Sequence, residues 1–81
     1  MTAEVLKSCM KNEFRNKRAE LGISQEQMAE NLNISLRSYS NLEHGKYCCS
    51  LLTFVNYINN FNVDKEKLFI KIIEEQNLSE N

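Results

Sequence analysis

Apolar positions recur along this chain at the three- and four-residue spacing of helices, and a polar start signal stands before each recurrence after the first. Met10, Phe14, Arg18 and Leu21 fall near one face of a first segment; Met28 and Leu32 belong to a second, Tyr39 and Leu42 to a third. Ser24 and Gln27 make a capping-box sequence: the hydroxyl can accept from a free N–H of the first turn while the Gln amide reaches back. Ser35, Ser50 and Asp64 can cap three further helices. An apolar residue precedes each cap and can pack on the fourth helical residue: Ile23 on Met28, Ile34 on Tyr39, Cys49 on Phe54, Val63 on Leu68. Gly22, Asn33, Gly45 and Asn62 stand where helices would stop, and Gly and Asn tolerate the left-handed backbone of a helix C-terminus. The pattern predicts an all-α chain of five helices over about 6–21, 25–32, 36–43, 51–60 and 65–76, with 77–81 a frayed tail.

The spacing of Ser24 and Ser35 makes an eight-residue helix, a tight turn at Asn33-Ile34 and a second short helix. Ala29 is small where the two must cross, and Met28, Leu32, Ile34, Tyr39 and Leu42 can form their shared core. This is a helix-turn-helix over 24–43, a motif whose second helix enters the major groove of DNA. If Tyr39 and Leu42 face inward, then Leu36, Arg37, Ser40, Asn41 and His44 form an exposed stripe. Arg can bond bidentately to guanine and Asn to adenine, Leu can meet a thymine methyl, and Ser can donate or accept. An ordinary solvated face is the competing reading of that stripe.

Composition narrows the options. With 81 residues the chain is long enough for one domain, 1–81, and too short for a separate catalytic cleft. Pro is absent and Gly occurs only at 22 and 45, which favours continuous helices. No apolar run could span a bilayer, so no membrane association is expected. Met1-Thr2-Ala3-Glu4 has no basic region leading into an apolar one, so no signal peptide is expected and the cytoplasm is the expected location. Cys9, Cys48 and Cys49 show no CxxC spacing, and His44 is the one histidine. They read as reduced thiols, with no metal or cofactor expected. No nucleophile, base and orienting group are legible together, so no enzyme is expected. Net charge is −1, with seven Lys/Arg against six Asp/Glu through Tyr47 and three against five beyond it. That balance permits a basic surface in the first half without demanding one.

The stretch 14–69 resembles the phage-repressor and Cro-like (XRE-type) helix-turn-helix family. Phe14 and Arg18 are among the resembling residues, and the most specific parts are Gly22-Ile23-Ser24-Gln25 with Met28-Ala29, and Leu42-Glu43 followed by Gly45-Lys46. The resemblance implies a lambda-repressor-like five-helix bundle, commonly dimeric, regulating transcription from operator DNA. Carried over by position, it implies that Leu36, Arg37 and Asn41 read bases, with Ser40 on the same face. Gln25, Ser38, His44 and Lys46 fall at or near the phosphate-contacting positions. Arg18 and Glu43 match a structural ion pair that joins the first helix to the end of the third. Lys17 stands where the family often has Leu, which implies a more exposed first helix. After Lys46, Tyr47-Cys48-Cys49 replaces the basic residues and Pro often found there.

In the last helix Leu68, Phe69 and Ile72 suffice for one apolar stripe, which leaves Ile70 and Ile73 surplus. They suggest either a broad core face or a two-fold homodimer on a palindromic site of double-stranded DNA. Two functions therefore stand: a sequence-specific DNA-binding regulator, or an antitoxin-like or adaptor module that uses the bundle to bind protein.

Overall fold

A computed structural model describes the backbone of residues 1–80 and the side chains through Asn77. Five helices follow one another: α1 (Ala3–Leu21), α2 (Gln25–Leu32), α3 (Leu36–Glu43), α4 (Leu51–Asn60) and α5 (Lys65–Glu80). The predicted caps do the starting. Ser24 Oγ accepts from Gln27 N at 3.1 Å while Gln27 Oε1 accepts from Ser24 N at 2.9 Å, completing the capping box. Ser35 accepts from Ser38 N at 3.0 Å, Ser50 from Thr53 N at 3.1 Å, and Asp64 from Glu66 N and Lys67 N at 3.1 and 3.2 Å. The stops are as local. Gly22, Asn33, Gly45 and Asn62 all take positive φ, the conformation that lets a chain leave a helix.

Two boundaries differ from the sequence reading. Helix α1 begins at Ala3 because Thr2 caps it, its hydroxyl accepting from Val5 N at 3.2 Å. Helix α5 continues to Glu80, past the expected end at about 76, since Asn77 is a mild helix-breaker with no turn signal after it. The expected frayed tail thus starts inside this helix; its last residue, Asn81, lies outside the described residues.

Three rings organise the core. Phe14 meets Tyr39 and Tyr57 edge-on, with centroids 6.1 and 5.0 Å apart. Cys9, Met10, Met28, Ala29, Leu32, Leu42, Leu68 and Ile72 complete it. Helix α1 packs on α3 and α5, and α2 on α3 and α4, so α1 holds the recognition unit from behind. Ile23, Ile34, Cys49 and Val63, which precede the caps, are partly buried against this core. Leu21 departs from expectation: it is exposed at the end of α1 rather than part of the inner face. Lys17, expected to be exposed, lies half-buried with its ammonium 3.5 Å from Glu20.

Polar groups inside the bundle are paired. Tyr57 donates to Glu13 Oε2 at 2.6 Å, and Lys71 on α5 donates to Glu13 Oε1 at 3.4 Å. Burial, then the Glu13 hydrogen bond, pushes the Tyr57 phenol pKa up. The three cysteines are free thiols, and burial pushes Cys9 and Cys49 up to about 12, which leaves them protonated and poorly nucleophilic.

Candidate nucleic-acid interface

Helix α3 can present a reading face because its opposite side is fixed. Tyr39 and Leu42 are buried among α1 and α2, and the Tyr39 hydroxyl donates to Phe14 O at 3.5 Å. Glu43 closes the helix from below, only 5% exposed. Arg18 meets it bidentately, Nε to Oε2 at 2.9 Å and Nη2 to Oε1 at 2.7 Å, while Nη1 donates to Ile23 O at 3.3 Å. Gln25 Nε2 adds a bond to Glu43 Oε1 at 3.4 Å. Burial alone would raise the Glu43 pKa, but the bonds from Arg18, then the one from Gln25, outweigh it and hold the carboxyl below its ordinary value. One charged knot thus ties α1, the start of α2, the turn at Ile23 and the end of α3. It fixes how far α3 protrudes.

On the outer side, Leu36, Arg37 and His44 are exposed, and Ser40 and Asn41 are half-buried beside them. His44 Nδ1 sits 2.7 Å from Ser40 O and 3.4 Å from Ser40 Oγ, which secures the ring against the end of the helix. Ser38 is half-buried and accepts from the Ser35 hydroxyl at 2.9 Å, and Lys46 is exposed just past the helix. Gln25 faces the same side but also leans on Glu43.

Three residues that the sequence reading did not assign to the site join this face. Lys11 and Arg15, one turn apart on α1, line a polar cleft together with Arg18, Gln25, Glu43 and His44. Gly45 holds φ +71°, and a Cβ there would come within 3.2 Å of Lys11 Cδ, so the bare backbone lets the Lys11 stem lie across the end of α3. The third is Tyr47. Its hydroxyl donates to Ser38 O at 3.4 Å and accepts from Asn41 Nδ2 at 3.5 Å, so the ring clasps α3 from the loop and steadies the Asn41 amide.

Among the described residues, no group of His, Cys, Asp and Glu comes together that could hold a metal ion, and no helix is long and apolar enough to cross a membrane.

Residues 12–79 match the family described as a helix-turn-helix domain. Over 68 residues, which are 84% of this chain and 100% of the relative, the sequence is 32% identical to an uncharacterized HTH-type transcriptional regulator, YgzD, of Bacillus subtilis (strain 168). No solved structure matches the chain significantly. Capping box, left-handed turn, outward α3 and family match agree, and the chain belongs to the phage-repressor and Cro-like helix-turn-helix family of DNA-binding transcription regulators.

Proposed function

We propose that this regulator reads a specific DNA sequence by laying α3 in the major groove, with Leu36, Arg37, Ser40 and Asn41 on the base edges. The observation that carries this reading is the outward set of side chains on a helix locked from behind by the Arg18–Glu43 knot. Gln25, Ser38, His44 and Lys46 meet the flanking phosphates in the same pose. Lys11 and Arg15 add two cations to Arg37 and Lys46 on this side of a slightly acidic chain. The exposed Ile70 and Ile73 support a homodimer on a palindromic operator, which would present two copies of α3 one helical turn apart. Membership in a family of DNA-binding transcription regulators supports a chain that acts by binding, without catalysis, and we assign it to the cytoplasm.

Selection from a pool of random duplexes, followed by binding at two salt concentrations, tests the reading. A defined half-site should emerge. Arg37→Ala should cost about 1–3 kcal/mol on it and relax preference at one base pair. Lys46→Ala or Lys11→Ala should weaken all sequences alike and flatten the salt dependence by about one unit of slope each. Failure to select any sequence at either salt concentration would overturn the assignment.

A further inference from the structure

Two neighbouring thiols open on one apolar cavity. Cys48 and Cys49 directly follow Tyr47, lie outside any helix, and are both half-buried and free. Both line a cavity of about 330 Å³ whose walls are chiefly apolar, with Met10 from α1, Phe54 from α4, and Phe69 and Ile72 from α5. An apolar cavity of about 150 Å³ already holds a benzene ring. Ser50, which also lines the space, is engaged in capping α4. Cys49 lines a second cleft as well, against Ser38, Leu42 and Tyr47. A change at the thiol pair is therefore felt at the clasp that Tyr47 makes on α3.

We propose that Cys48 and Cys49 chelate a trivalent organic arsenical whose apolar substituent fills this cavity. Three features select that class of ligand. The first is spacing. The peptide between the two residues is trans, which sets their Cα atoms about 3.8 Å apart, closer than the roughly 4.4–6.8 Å of ordinary disulfides. A single large atom bonded to both sulfurs spans a wider gap than a direct S–S bond of about 2.05 Å. The second is softness: sulfur donors favour a soft acceptor. Burial, then the adjacent Cys48, pushes Cys49 up to about 12, which disfavours reactions that need a thiolate. Exchange at arsenic carries the protons away on its own leaving groups. From R–As(OH)2, two As–O bonds break and two As–S bonds form, and each thiol proton departs with a hydroxide as water. Arsenic stays trivalent throughout, so no oxidant or reductant takes part. The third is the cavity itself, which gives the group R an apolar seat beside the sulfurs. Closing the chelate draws the two side chains together and turns the loop, which pulls the Tyr47 hydroxyl away from Ser38 O and Asn41 Nδ2.

Titration of the full chain with phenylarsine oxide, without DNA, tests the site. One equivalent should bind, and mass spectrometry should show one C6H5As group gained and two hydrogens lost. Cys48→Ser and Cys49→Ser should each weaken binding about hundredfold, because each abolishes the chelate. Circular-dichroism melts show whether the variants fold, and a measurement on the wild type stands without them. Its preference for phenylarsine oxide over methylarsine oxide should exceed that of dithiothreitol about tenfold, since only the protein seats the ring. Amide exchange across 36–43 should quicken severalfold on binding. Weakened DNA binding, by about tenfold, rests in addition on the proposed function; an untreated chain that selects no DNA would count against that reading alone. Variants that bind as tightly as the wild type, or a phenyl preference no greater than that of dithiothreitol, would overturn the site. Unchanged exchange across α3 in the arsenical complex would overturn its link to the recognition helix.

Discussion

Removing the Glu43 carboxylate would strand a half-buried guanidinium that now makes two bonds to it. Glu43→Ala should therefore cost about 3 kcal/mol of stability. Asn41→Ala, on the outer side, should leave the melting temperature nearly unchanged while impairing DNA recognition. Equal melting temperatures for the two variants would contradict the division between bracing and reading residues. The same carboxyl gives a pH signature. Its folded pKa lies below the unfolded value, so the stability it contributes is present at neutral pH and is lost as pH falls through the folded pKa. The melting-temperature gap between wild type and Glu43→Gln should be full at neutral pH and narrow in acid, below the ordinary carboxylate range. Tyr47→Phe offers a subtler contrast. It removes the hydroxyl that accepts from Asn41 and, in the proposed pose, should relax base preference at the position assigned to Asn41, with little effect at the one assigned to Arg37.

Between elements, the turn from α2 to α3 depends on one backbone conformation. Asn33 sits at φ 61°, and its N–H donates to Glu30 O at 3.1 Å. Asn33→Ala would force a Cβ-bearing residue without a compensating side chain into that region and should cost about 1 kcal/mol, measured by urea unfolding. Asn33→Gly should be neutral or mildly stabilising. Such local features were open to sequence reading, because caps, staples and left-handed stops act over three or four residues. That is why α2, α3 and α4 begin and end where Ser24, Ser35, Ser50 and their stop residues predict. The missing parts of the site have a different origin. Lys11 and Arg15 reach the cleft only because packing on α3 fixes the rotation of α1 about its own axis, and no short-range signal encodes that rotation. Tyr47 reaches Asn41 only because the chain doubles back after Gly45. Even so, the four-residue spacing of Lys11 and Arg15 marks them as neighbours on one helical face.

Across the whole molecule, helix α5 carries apolar residues both on its buried side and on its exposed side. Its inner residues, Leu68 and Ile72, close the core over α1, and Lys71 ties it to Glu13. Its outer residues Phe69, Ile70 and Ile73 are exposed, and in the proposed homodimer a second copy would cover Ile70 and Ile73. In that homodimer, folding and association would not be separable. Whatever covers the outside of α5 also holds its inside against the core, so by mass action the unfolding midpoint should climb with protein concentration, by about 1.4 kcal/mol of stability for each tenfold excess over the dissociation constant. A dilute sample would then open first at its C-terminal helix. Protease cleavage within 65–80 should depend on concentration, while cleavage within α2 and α3 should follow only global unfolding.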